Sequence, residues 1–231
     1  MSVASVRRDS LGLSLIVGSY GIAFGASATA DHFSPWQACF LSLIAFSGAS
    51  QFATIGVVAA GGSPINAIIA AGLLGFRNTL YGLRVAPIMK ANKWKKLLVA
   101  HLTIDESTGI ALAQENEKES RLGFWITGFG VFVFWNIATL FGALGAKALG
   151  NPAAWGLDAA VPSAFLGLLW FRIKDSRSRF VAVSAFIVAL LLTPITGSGI
   201  PIISTSVLAV IFGWRENNKA VGNTLESADN E

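Results

Sequence analysis

Residues 70–87 read Ala70-Ala-Gly-Leu-Leu-Gly-Phe-Arg77-Asn78-Thr-Leu-Tyr81-Gly-Leu-Arg84-Val-Ala-Pro87 and lie in the middle of an apolar run from Pro64 to about Lys90. Glycines stand at 72, 75 and 82, and Arg77 falls at the midpoint of the run. A guanidinium at that depth costs at least ~2.5 to 3.5 kcal/mol unless the protein receives it, so a charge held there marks a functional site by default. On an unbroken helix Arg77 and Arg84, seven residues apart, point the same way, with Asn78 and Tyr81 flanking them. Arg84 lies near the basic end of the run and can snorkel to the headgroups. Arg77 is too deep for that and is expected to face a cavity or a partner group.

The rest of the chain agrees with a membrane setting. Of 231 residues, 53% are hydrophobic and 13% charged, about half the charged share of a soluble domain, and the mean hydropathy is +0.61. The net charge of +4 collects at the ends of apolar runs, as the positive-inside rule describes, and not in the aromatic-interleaved stripe of a nucleic-acid binder. Cys39 is the sole cysteine, which excludes a disulfide framework and a cysteine zinc site.

Residues 1–31 superficially resemble a secretory signal, with Arg7 and Arg8 before an apolar run and Ala28-Thr29-Ala30 at its end. Gly18, Gly21 and Gly25 instead suit close helix packing, and the run reads as a first membrane helix. A second run, Trp36 to about Ala60, has a small polar centre, Ser47-Gly48-Ala49-Ser50-Gln51. That centre is either packing glue between helices or an unwound point lining a cavity.

After the basic loop Lys90–Lys96 comes a weaker apolar segment, 97–113, carrying His101, Asp105 and Glu106. It reads as interfacial, its acids in water; the other reading is a re-entrant segment whose embedded carboxylates suit proton coupling. His101 and Asp105 are spaced for an i,i+4 pair, too little to specify a metal. Further runs cover 122–146, 155–171, 180–195 and 199–214, with Asp158 and Pro162 near one start and a helix-breaking Thr193–Pro201 cluster between the last two. Residues 215–231 read as a disordered tail.

A shift of 117 residues carries Phe24-Gly25-Ala26 onto Phe141-Gly142-Ala143 and Arg77 onto Pro194. Paired interruptions in two halves point to a transporter binding site. The fold expected is therefore all-α: a single membrane domain over 1–214 with about seven transmembrane helices. Half-repeats of about 11–90 and 122–196 form an inverted 3+3 pair with broken third and sixth helices, and 97–113 is interfacial or re-entrant. Seven helices put twelve basic residues on one side and three, Arg7, Arg8 and Lys147, on the other; the rule prefers this to eight helices, at the cost of stranding an arginine pair. No P-loop, G-x-S-x-G or H-E-x-x-H motif is present, so neither an enzyme nor a cofactor is implied.

Phe24-Gly25, Ser47-Gly48-Ala49-Ser50-Gln51-Phe52, Arg77 with Leu80-Tyr81-Gly82, Asp105-Glu106 and Leu157-Asp158 resemble the AzlC-like branched-chain amino acid permeases over residues 8–214. Gly75 and Asn78 depart from that pattern, where Asn and His are usual. The resemblance implies a bacterial-type inner membrane, multi-pass, an exporter of small apolar amino acids, and a small AzlD-like membrane subunit as partner. Substrate would meet Arg77, Asn78, Tyr81, Ser47 and Gln51, with Asp158, Asp105, Glu106 and Arg84 as coupling groups or counter-ions. The competing expectation is a membrane subunit that transports nothing by itself.

Overall fold

The computed structural model describes residues 3–149 and 173–196 without a gap, and scattered positions between 163 and 170 and between 200 and 212. The readings made of Asp158, Pro162, residues 197–199 and the tail lie outside the described residues. Every described element is a helix. They are α1 (Val3–Ser19), α2 (Gly21–Ala30), α3 (Pro35–Ile44), α4 (Gly48–Ala59), α5 (Pro64–Met89), α6 (Lys93–His101), α7 (Asp105–Leu112), α8 (Glu117–Ala148) and α9 (Ser176–Leu192).

Local chemistry sets most of the starts. Ser34 and Ser63, each followed by proline, cap α3 and α5 through hydrogen bonds accepted from the third residue on. Asn92, Asn116 and Asp175 do the same for α6, α8 and α9. These are favoured N-cap residues, and proline is favoured in the first turn. Ser47 at α4 makes no side-chain cap bond, and α7 starts after Ile104, which has no side-chain acceptor.

Lengths separate two kinds of helix. Val3–Ala30 and Glu117–Ala148 are apolar enough to cross a membrane, and α5, with 26 residues, is about 39 Å long against a hydrocarbon core of about 30 Å. By contrast α3, α4, α6 and α7 have 10, 12, 9 and 8 residues, each about half that depth.

Contacts fix the directions. Gly123 lies against Val6, Ser14 donates to the Thr127 carbonyl at 3.3 Å, Gly21 abuts Ala138, and Thr29 donates to the Ala143 carbonyl at 3.4 Å. Both numbers of each pair rise together, so α1–α2 and α8 run parallel. Gly25 and Gly142 make this packing possible, because a Cβ on either would strike the Thr139 or Ile22 carbonyl of the facing helix. At its far end α5 reaches the start of α8: Lys90 Nζ pairs with Glu117 Oε1 at 2.6 Å, and Arg121 Nε donates to the Ile88 carbonyl at 2.7 Å. Hence α5 opposes α8, and its first residues lie at the end where α2 finishes.

It follows that α3 begins, and α4 finishes, at that same end. The pair is a hairpin that enters and returns, with Ala53 and Val57 of α4 packed on Ala67 and Ala70 of α5. The same argument applies to α6–α7, which begins after Lys90 and ends before Glu117. Leu102 sits against Gly128 and Ile110 against Gly123, so α7 returns toward the start of α8. The two hairpins enter from opposite ends and meet at their tips, where the Phe46 ring lies 5.8 Å from His101 and 5.1 Å from Phe132.

Several expectations are corrected. The run from Trp36 to Ala60 is not one long helix but two short ones folded back on each other, so it does not supply one of the seven expected spanning helices in the form expected. The third run is not broken: α5 is continuous through Arg77, since a glycine costs only ~1 kcal/mol in a helix whereas an opened backbone in an apolar setting needs new partners. Segment 97–113 is not one helix but two short ones that fold back, with Leu102 on Gly128 and Ile110 on Gly123 of α8. Halves related by 117 residues run in the same direction over α1–α2 and α8, which contradicts inversion at that shift. Opposed units do occur, but as α1–α2 with its hairpin against α5 with its hairpin. The chain leaves helix α9 at Leu192, and Pro194 falls in the turn that follows.

Candidate functional site

A cavity of about 360 Å³ lies where the hairpin tips meet the middle of α5. From α4 it receives Ser47, Gly48 and Ala49; from α7, Asp105 and Glu106 with the preceding Ile104; from α5, Leu74, Arg77 and Asn78. Phe46, Phe52, Val131 and Trp135 supply apolar wall. The volume and the mixture of apolar wall with a few converging polar groups suit a small organic ligand.

Both short helices point their N-termini at this space. The first N–H groups of any helix lack intrahelical partners and carry partial positive charge. In α7 the first turn brings its own acids, Asp105 and Glu106, whereas α4 has neither an acid in its first turn nor a capping side chain. The start of α4 is therefore the electropositive seat still open to an anion. Ser50 shapes it: its hydroxyl lies 2.9 Å from the Ala71 carbonyl and 3.2 Å from the Ser47 hydroxyl. Gly75 leaves room for this approach, since a Cβ there would stand 3.3 Å from Ser50 Oγ.

Arg77, the costly charge of the sequence, is received by Asp105: the Nη1–Oδ2 distance is 3.1 Å, with the side chains 35% and 21% exposed. Arg77 Nε and Asn78 Oδ1 are nevertheless buried without hydrogen-bond partners. Both residues line the cavity, while these two atoms are themselves enclosed by protein, a costly arrangement.

Gln51 has a different role from the one expected. It is fully buried, its Nε2 donates to the carbonyls of Ala45 at 2.9 Å and Ser42 at 3.4 Å, and its Oε1 accepts from Trp135 Nε1 at 2.9 Å. The Ala45 carbonyl also accepts from the Ser47 N–H at 2.6 Å, so Gln51 ties the turn where α3 stops to Trp135 of α8; it does not line the cavity. Ser107 serves the other tip, donating to the Leu102 carbonyl at 2.6 Å and accepting from the Ile104 N–H at 3.1 Å. Tyr81 is half-buried and Arg84 exposed, and neither lines the cavity. His101 and Asp105 do not pair along one helix, because the chain breaks between them; His101 packs edge-on to Phe132 at 5.5 Å.

Sequence reasoning missed Trp135, Phe46 and Ser107. Trp135 and Phe46 resemble ordinary apolar residues in apolar runs. Ser107 did carry a signal, a hydroxyl three residues after a helix break, spaced as Ser50 is from Ser47.

At the basic end, Glu117 is held below the usual carboxylate range by its hydrogen bond from Lys90, and further by the charges of Lys90 and Arg121. This group latches the end of α5 to the start of α8, beneath the α6–α7 hairpin.

Comparison with known proteins reaches the same unit. The family model described as AzlC protein matches residues 12–149, from within α1 to the end of α8. The chain is 31% identical over 185 residues to the "Inner membrane protein YgaZ" of Escherichia coli, covering 77% of this chain and 76% of that one. It is 24% identical over 195 residues to an "Uncharacterized membrane protein" of Helicobacter pylori strain 26695, covering 83% and 84%. No solved structure matches. Both hairpins, the Arg77–Asp105 pair and all of the cavity lining except Leu169 fall inside the matched residues, and the chain belongs to the AzlC family of membrane proteins.

Proposed function

We propose that the protein is a carrier for branched-chain or similar small apolar amino acids, working by alternating access, with export as the direction the family resemblance suggests. The observation that carries this reading is the cavity at half depth, bounded by two half-helix N-termini, an arginine and an apolar wall. Discontinuous helices whose N-termini face a mid-membrane site are a recurring way for transporters to hold an anionic group. The amino acid's carboxylate sits at the start of α4 beside Arg77, and its aliphatic side chain lies against Phe46, Phe52 and Trp135. No catalytic role is assigned to any residue.

The two hairpins supply two gates. Movement of α3–α4 opens the cavity toward one end, and movement of α6–α7 toward the other. Arg7, Arg8, Lys90, Lys93, Lys95, Lys96, Lys118 and Arg121 all gather at the α6–α7 end, against Lys147 at the opposite one. The positive-inside rule makes that end cytoplasmic. The arginine pair stranded by a seven-helix topology thereby joins the other basic residues.

A small AzlD-like subunit fits as a partner of α5, where Gly72 and Gly82 face open space and Leu73, Phe76, Leu80 and Leu83 are exposed. This face supports the second reading, a subunit that moves nothing alone. The test is counterflow of labelled leucine by the purified chain in proteoliposomes. Saturable counterflow supports the carrier; its absence without the partner and its appearance with it support the subunit.

A further inference from the structure

Resting on the carrier reading, we infer that Arg77 and Asp105 form an internal stand-in for the substrate, a pair that a zwitterion replaces charge for charge. Substrate carboxylate takes Arg77, and substrate ammonium takes Asp105. Arg77 Nη1 lies 3.1 Å from Asp105 Oδ2, so the two charges balance one another at the middle of α5. Next to them are an unmatched donor, Arg77 Nε, and an unmatched acceptor, Asn78 Oδ1, both buried. Separating the pair frees the guanidinium for a carboxylate and the Asp105 carboxylate for an ammonium. An α-amino acid carries both groups on one carbon, a reach comparable to that of the ion pair it replaces.

The exchange keeps the site's charge constant. Empty, the pair sums to zero; loaded, each member meets its opposite on the substrate, and the sum is again zero. A ligand bearing only a carboxylate would take Arg77 and deprive Asp105 of that partner without replacing it. One bearing only an ammonium would strand Arg77 in the same way. Breaking a buried pair by satisfying one member is strongly unfavourable, and the partial exposure of both side chains moderates the penalty. We therefore expect discrimination on the order of ten- to a hundred-fold against either half-ligand. Asp105 thus acts as a specificity-determining residue that demands the amino group.

The experiment is competition against labelled-leucine counterflow in proteoliposomes by leucine, 4-methylpentanoate and isopentylamine, which share one side chain and differ in charged groups. For the wild-type protein, leucine competes, and each half-ligand needs at least tenfold higher concentration. In Asp105→Asn the carboxylate-only ligand gains potency, and in Arg77→Gln the amine-only ligand gains it, both read by direct ligand binding to the purified variants. A gain cannot come from misfolding. Half-ligands that compete with the wild type as well as leucine does, or variants that bind leucine with an unchanged half-ligand ranking, overturn the inference while leaving the carrier reading standing. Absence of wild-type leucine counterflow, with or without the partner, overturns the carrier reading itself.

Discussion

Replacing Gln51 by alanine removes the group that closes the tip of the α3–α4 hairpin. The side chain makes two hydrogen bonds of 2.9 Å, to the Ala45 carbonyl and from Trp135 Nε1, and a longer one of 3.4 Å to the Ser42 carbonyl. Side-chain hydrogen bonds between membrane helices have averaged only ~0.6 kcal/mol in double-mutant cycles, which by itself would predict about 1 kcal/mol for the two short bonds. Truncation does more than remove bonds, because the Trp135 indole N–H would stay buried without a partner, whereas the Ala45 carbonyl keeps the Ser47 N–H at 2.6 Å. At about 1 to 3 kcal/mol for the one unsatisfied group, with ~0.6 kcal/mol for the bond lost to the Ala45 carbonyl, the loss comes to about 1.5 to 3.5 kcal/mol, and the unsatisfied group dominates. The assay is thermal unfolding of the purified protein in detergent, wild type against Gln51→Ala and Gln51→Glu. A clear fall in the midpoint for Gln51→Ala is expected, with a smaller one for the glutamate, which keeps an acceptor for Trp135. If Gln51→Ala unfolds at the wild-type temperature yet no longer binds leucine, the reasoning is wrong and Gln51 is a ligand.

Other consequences are as direct. Single cysteines at His32 and Gly62, in a Cys39→Ser background, should be labelled from one side of the membrane, and those at Asn92 and Asn116 from the other; labelling of 32 and 62 from opposite sides would mean that α3–α4 crosses. Gly25→Leu or Gly142→Leu should prevent accumulation of folded protein, because either side chain meets the backbone of the facing helix. Gly72→Ala and Gly82→Ala meet open space and should be neutral or stabilising by up to ~1 kcal/mol each in unfolding midpoints. Because Glu117 is held below its ordinary value by Lys90 and then Arg121, its latch is intact at neutral pH. It weakens as pH falls through that lowered value. Labelling at an Ala91→Cys position should therefore quicken on acidification in the wild type and be already fast, and flat with pH, in Glu117→Gln.

The site was more legible in the sequence than the path of the chain. Arg77 stood out because a charge in the middle of an apolar run demands a partner, and the Ser47–Gln51 stretch because small polar residues interrupt another. What the sequence could not convey is direction. A hairpin of 10 and 12 residues has about the same apolar length as one spanning helix, so Trp36–Ala60 looked like a crossing. One clue was present: Arg7 and Arg8 were left on the wrong side by that reading, and folding α3–α4 back removes the conflict. The role of Gln51 was hidden for a related reason, since its partners are carbonyls beside a break whose position no residue type announces. The glycines of α5 misled in the opposite sense, suggesting a break where the backbone stays continuous. Arg77 needed no break, because Asp105 arrives from the tip of the α6–α7 hairpin.

The central claim is that leucine-like amino acids occupy the cavity at Arg77. Counterflow of labelled leucine into proteoliposomes, comparing the wild type with Arg77→Ala at equal reconstituted amounts of monodisperse protein, tests it most directly. The account predicts saturable exchange for the wild type, with the partner subunit supplied if exchange requires it, and none above protein-free vesicles for the variant. Wild-type rates with Arg77→Ala would contradict it.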